Sequence, residues 1–195
     1  MTKGLRWRVL VLQTGLIGIL SFVAGFAFWA NSFSHNMVGD QLSAQQIFFP
    51  QAGSKALPAS EFPDLQQYGG QQVVNGDQAK AYADGFIGRH LQSIANGQTY
   101  SQVSAAAITN PGDQKLAGQK QSLFMGETLR GLLLNAYGWW QVGQYALYAA
   151  IGLVIAAGAV LLALVFELVR WRASVRQEKP ASGSATIGAR RPVPS

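Results

Sequence analysis

Two long apolar stretches near the ends of the chain, residues 9–30 and 145–169, limit what it can fold into more than any other feature. The first, VLVLQTGLIGILSFVAGFAFWA, is uncharged over 22 residues. At about 1.5 Å of helical rise per residue it covers the roughly 30 Å hydrocarbon core of a bilayer. The second, YALYAAIGLVIAAGAVLLALVFELV, has 25 residues and one charge, Glu167, close enough to its end to reach the headgroups or pair with Arg170. A soluble core hairpin of this length would need an outer polar shell to bury it. Only 12% of the residues are charged, so that shell is lacking. The fold class expected is an all-α membrane protein, a two-helix transmembrane hairpin with a mostly helical extracytoplasmic domain between the spans.

All five tryptophans fall at the borders of these stretches: Trp7 and Trp171 at one edge, Trp29, Trp139 and Trp140 at the other. Amphipathic rings at headgroup level are expected there as interface anchors. Charge then orients the hairpin. Lys3, Arg6 and Arg8 precede the first span, and Arg170, Arg172, Arg176, Lys179, Arg190 and Arg191 follow the second. The region between carries six basic against seven acidic residues. Flanking Lys and Arg favour the cytoplasmic side, so both termini are expected inside a multi-pass protein of the plasma membrane. The resulting divisions are a basic N-terminus (1–8), span 1 (9–30), the outer domain (31–144), span 2 (145–169) and a basic, disordered tail (170–195). The first span is too long for a signal peptide and lacks a well-placed small-x-small site, so it reads as an uncleaved anchor. The net charge of +6 resides in the tails, which favours contact with anionic membrane lipids and not with nucleic acid.

Small residues recur along each span. Thr14, Gly18, Ser21 and Gly25 form one series, and Ala149, Gly152, Ala156, Ala159 and Ala163 another, at intervals of three and four. Such series allow backbones to approach closely, and they are the helix-packing candidates, either for each other or for another membrane subunit. Gln13 adds a hint of polar contact inside the bilayer.

Between the spans, residues 36–58 are hard to read, and IFFP is too short to assign as a strand. Residues 60–68 predict a short helix stopping at Gly69-Gly70. The clearest helix runs over 76–95. Ala79, Tyr82, Ala83, Phe86, Ile87, His90, Leu91 and Ile94 share one face, and Asn96-Gly97 ends it. Its glycines, Gly85 and Gly88, permit a close neighbour. Ser101 is expected to cap a helix through Ile108, and Asp113 the next one. That next helix, 114–135, is expected to turn Leu116, Leu123, Phe124, Thr128 and Leu129 inward. GLLLNAYGWW then lies along the membrane surface, with a bend at Gly138.

Chemistry is sparse. There is no cysteine, so thiol redox chemistry is excluded, and only two histidines, His35 and His90, exist. His90 reads as a hydrogen-bonded packing residue. Asp77 and Asp84, seven apart on one helix, lie about 10 Å along its axis and read as surface carboxylates. GFIGRH lacks a preceding strand and a phosphate-loop lysine. Ser104 and Ser122 lack a base. No cofactor, metal or catalytic residue is expected.

EFPDLQQYGGQQVVNGDQAKAYADGFIGRHL and GETLRGLLLNAYGWWQVGQYALYA resemble a family of two-span membrane proteins of mycobacteria and related actinobacteria, often named aromatic ring-opening dioxygenases. The likeness runs from residue 61 to about 169 and includes Gln71, Tyr82, Phe86, His90 and the segment 127–137. It implies topology and lineage but no mechanism. Extradiol ring opening uses iron held by two histidines and a carboxylate, and the sequence orders no third ligand beside His35 and His90. The expected function is non-catalytic: an accessory or structural subunit that meets a larger membrane partner or self-associates. The alternative is an anchored module that binds lipid or a small ligand through an apolar pocket at Phe86, Ile87 and Leu123.

Overall fold

The computed structural model describes residues 3–177. The part of the expected disordered tail from Glu178 onward lies outside them. Five α-helices follow in order: α1 (Lys3–Gln45), α2 (Gly76–Lys80), α3 (Arg89–Ile94), α4 (Tyr100–Thr109) and α5 (Gln114–Gln177). A 3₁₀ turn occupies Pro63–Tyr68, and a π-helical stretch, Ala81–Gly88, joins α2 to α3 without a break. Both α1 and α5 are long and apolar enough to cross a membrane. The chain divides into two compact units, Met1–Phe22 with Gly152–Ser195, and Val23–Ile151.

Both long helices outrun the apolar stretches that announced them. At 43 and 64 residues they measure about 64 and 96 Å, two to three times the hydrocarbon core. The stretch 36–45, unreadable from sequence, is the end of α1. Asn31, Ser34, Val38 and Leu42 carry its buried stripe onward at intervals of three and four, until Gln46 turns left-handed at φ 52°. The bend expected at Gly138 is absent: α5 is helical throughout, and Gly138 lies on its exposed face with nothing near it. A single interior glycine costs about 1 kcal/mol relative to alanine, too little to break a helix held on both sides. The segment 131–140 is therefore part of a rod, with Leu133 buried, and not a separate surface helix.

The core of the larger unit gathers Val38 and Leu42 of α1, Phe49, Leu57, Phe62 and Leu65 of the connecting chain, and Val73. Against these pack Ala79, Ala83, Ile87 and Leu91, together with Val103, Leu123 and Leu133. The face expected for the 76–95 helix is the buried one, except that Ile94 is exposed. Gly85 does admit a close neighbour, since a Cβ there would lie 2.9 Å from a methyl of Leu65. The helix ends at Asn96 and Gly97, both left-handed, with the Gly97 N–H on the Gln92 carbonyl at 2.8 Å. IFFP contributes an isolated antiparallel bridge, Phe48 to Gln72. The cap of α4 is Thr99 and not Ser101: Thr99 and Gln102 form a reciprocal capping box, and Ser101 is already inside the helix. Asp113 accepts from the Lys115 and Leu116 N–H groups as expected.

On α5, Leu116 and Leu123 face inward, but Phe124, Thr128 and Leu129 are exposed. Gly126 and Arg130 take those inner places. Gly126 lies under the Leu91 side chain, which a Cβ would strike, and Arg130 reaches Asp84. A search for apolar periodicity passes over both.

Candidate functional site

The two-turn π stretch widens the helix and carries Asp84 toward α5; such stretches recur at functional positions. Asp84 Oδ2 accepts from Lys80 Nζ at 2.6 Å, and its Oδ1 accepts from Arg130 Nη2 at 3.1 Å. Arg130 Nη1 also donates to Glu127 at 3.3 Å. Beside this chain of charges lies a cleft of about 230 Å³, lined by Asp84, Arg89, Gln92, Thr99, Glu127 and Arg130 among others, with Leu91 and Leu123 at its base.

The Lys80 hydrogen bond, aided by Arg130, holds the Asp84 carboxyl below the usual carboxylate range. Asp84 in turn raises both Lys80 and Arg130. Every shift stabilises the charged form. A general acid or base needs a pKa drawn toward neutrality, and these move away from it. The cleft is suited to positioning a polar group, not to proton transfer. A second pair, Arg89 with Asp64, is bidentate at 2.8 Å for both bonds, and its arginine lies 5.5 Å over the Phe62 ring. Asp77, by contrast, is exposed and belongs to none of these pairs.

The histidines have separate surroundings. His90 donates through Nδ1 to the Phe86 carbonyl at 2.9 Å and stacks on Phe62 at 5.4 Å. His35 stacks on Trp140 at 3.8 Å, with Nε2 3.3 Å from the Trp140 carbonyl. Around it, Asn31 donates to the Gly143 carbonyl at 2.9 Å and Ser34 to that of Trp139 at 2.5 Å. Among the described residues, no three His, Asp or Glu side chains come together as a metal site would need. The apolar pocket expected at Phe86, Ile87 and Leu123 is occupied by the protein itself: Ile87 and Leu123 are core, and Phe86 is half-buried between Tyr82 and His90.

Of the tryptophans expected as interface anchors, Trp7, Trp29, Trp139 and Trp171 are exposed. Trp140 is instead half-buried, stacked on His35 and pressed against Gly76. All nine small residues expected to pack, Thr14, Gly18, Ser21, Gly25, Ala149, Gly152, Ala156, Ala159 and Ala163, lie on exposed faces. One residue over, Ala24 and Ala150 are buried, and Gln13, Ile17, Leu20 and Ala27 of α1 and Leu153, Ala157 and Leu164 of α5 are half-buried. Thr14 donates to the Leu10 carbonyl of its own helix. A helix apolar on all sides has no amphipathic phase, so its sequence does not reveal which stripe turns inward. Glu167 is in none of the ion pairs among the described residues, so of its two expected roles the pairing with Arg170 is not seen and the reach toward the headgroups is left.

Comparison with protein-family models, curated proteins and solved structures finds no match to this chain.

Proposed function

We propose that the protein is a non-catalytic, two-span protein of the plasma membrane with both termini cytoplasmic, acting as an accessory subunit of a larger membrane or cell-envelope complex. The proposal takes with it the actinobacterial kinship that the resemblance over residues 61–169 implies. One observation carries it: both long helices leave their small-residue faces open. A Cβ on Gly18, Gly25 or Gly152 would meet nothing within 4 Å, so another helix could approach the backbone there. Lipid needs no such faces; a helical partner, or a second copy, uses them. The neutralised charges of the Asp84 cleft support a non-catalytic reading. A second reading, a module anchored by the hairpin that binds a small ligand, draws on the same cleft; of the lipid or small ligand first expected, it would take a polar small ligand there.

The test is mild detergent extraction of the full-length protein from its native membrane, followed by native mass analysis. A larger assembly that dissociates when Gly18→Leu and Gly152→Leu are introduced supports the subunit reading. A monomer in both forms overturns it. Labelling of a cysteine introduced at Ser54 by an impermeant reagent in intact cells tests the orientation, and protection there refutes it.

A further inference from the structure

The two ends of the smaller unit that lie furthest along the chain from the middle region form an open cavity of about 220 Å³. It is lined by Arg6 of α1 and by Glu167, Arg170, Trp171 and Ser174 of α5. Its volume is roughly seven times the ~30 Å³ share of one liquid water, room for a phosphate and part of what it is attached to. Two arginines against one glutamate leave it a net cation. Among the described residues neither arginine belongs to an ion pair, and the buried Arg6 Nε has no hydrogen-bond partner. A buried guanidinium N–H without an acceptor is costly unless something arrives to accept it. Arg170 lies 5.7 Å over the Phe166 ring, which keeps its guanidinium near the end of the apolar face.

What could arrive is narrowed by the neighbours. A planar fork of donors matches phosphate oxygens, and two forks match them better. Trp7 and Trp171 mark this as headgroup depth if the helices span the bilayer. A second cavity of about 250 Å³, lined by Trp7, Leu10, Val11 and Thr14, starts at the residue after Arg6 and is almost wholly apolar. Free phosphate has no use for it; an acyl chain does.

We infer that Arg6 and Arg170 hold the phosphate of an anionic phospholipid, one of whose acyl chains lies over Trp7, Leu10, Val11 and Thr14. The site goes beyond general attraction of basic tails to a charged surface, because Arg8 and Arg172, exposed like Arg170, line neither cavity and would share that attraction equally. The inference rests on the membrane-spanning part of the proposed function.

The test uses full-length protein in phosphatidylcholine nanodiscs, with and without a fifth of the lipid replaced by phosphatidylglycerol, and counts lipids retained on release into the gas phase. The unaltered protein is expected to retain phosphatidylglycerol in preference to phosphatidylcholine. Loss of a hydrogen bond to a charged group costs at least about tenfold, so Arg6→Gln with Arg170→Gln should reduce that preference by about 100-fold, well beyond the loss of general attraction. Arg8→Gln with Arg172→Gln removes the same charge and should leave most of it. Equal loss in the two double variants overturns the site, and so does no preference in the unaltered protein. Displacement of the lipid by inorganic phosphate alone overturns the lipid assignment. Failure of the chain to enter nanodiscs at all would instead refute the membrane-spanning reading.

Discussion

Gly76→Ala should destabilise the protein even though alanine is the better helix former. Gly76 opens α2 directly against Trp140 of α5, and an added Cβ would overlap the Trp140 Cβ and Cγ, with Cδ1 at 2.9 Å. The Cβ of Trp140 is fixed to its backbone, so no rotamer change relieves the clash and the helices must part. Overpacking of this kind costs about 1–3 kcal/mol, while the gain in helix propensity is at most about 1 kcal/mol and smaller still in a first turn. The net loss should be about 1–2 kcal/mol. At about 2–4 °C per kcal/mol for a chain of this size, the melting temperature should fall by about 2–8 °C. Gly131→Ala is the control. Gly131 is exposed inside α5 with nothing within 4 Å, so there propensity acts alone and the melting temperature should rise by about 1–4 °C. Both are read by circular dichroism during heating in detergent micelles. Trp140→Gly combined with Gly76→Ala should cost less than the sum of the two, since glycine at 140 removes the Cβ and the ring that the new methyl strikes. A Gly76→Ala protein as stable as the unaltered one, with additive behaviour in the double variant, would refute this packing.

Two further outcomes follow from the local chemistry. Thr99→Ala should cost about 1 kcal/mol through loss of the capping box at α4, while Ser101→Ala, two residues inside, should change stability by less than about half that, both measured by chemical denaturation. The ion pairs should make stability depend on acid. Asp84 and Asp64 have folded-state pKa values below the ordinary carboxylate range, owing first to Lys80 and Arg89 respectively. Their contribution is therefore complete above the unfolded value of about 4 and lost as pH falls through and below it. Melting curves from about pH 6 down to about pH 2 should show this decline, and Asp84→Asn with Asp64→Asn should flatten it; an unchanged slope counts against the pairs.

Much of the middle region was legible because its signals are local. The 76–95 helix announced itself through apolar residues at helical spacing and through Asn96-Gly97, and Asp113 through its place before the next helix. Thr99 was legible too, in Thr99-x-x-Gln102, but the serine two residues on drew the assignment. What escaped had no local signature. The continuation of α1 past residue 30 depends on Asn31, Ser34 and His35 finding acceptors on α5, residues more than a hundred positions away. Arg130 and Gly126 look like surface positions until Asp84 and Leu91 are seen opposite them. Which neighbour the small-residue stripes serve is not written in them, because within an apolar helix every face looks alike.

The three side chains that α1 extends to the carbonyls of Gly143, Trp139 and Trp140 have a mechanical consequence. Displacing one rod lengthwise by half a turn, about 2.7 Å, would carry all three donors between successive turns and off their acceptors. Each lost bond would leave a part-buried donor unpaired, at a cost of about 1–3 kcal/mol. Piston strokes between α1 and α5 are thereby latched at this level. Tilting or rolling about the latch, with the donors as pivots, is the motion left open.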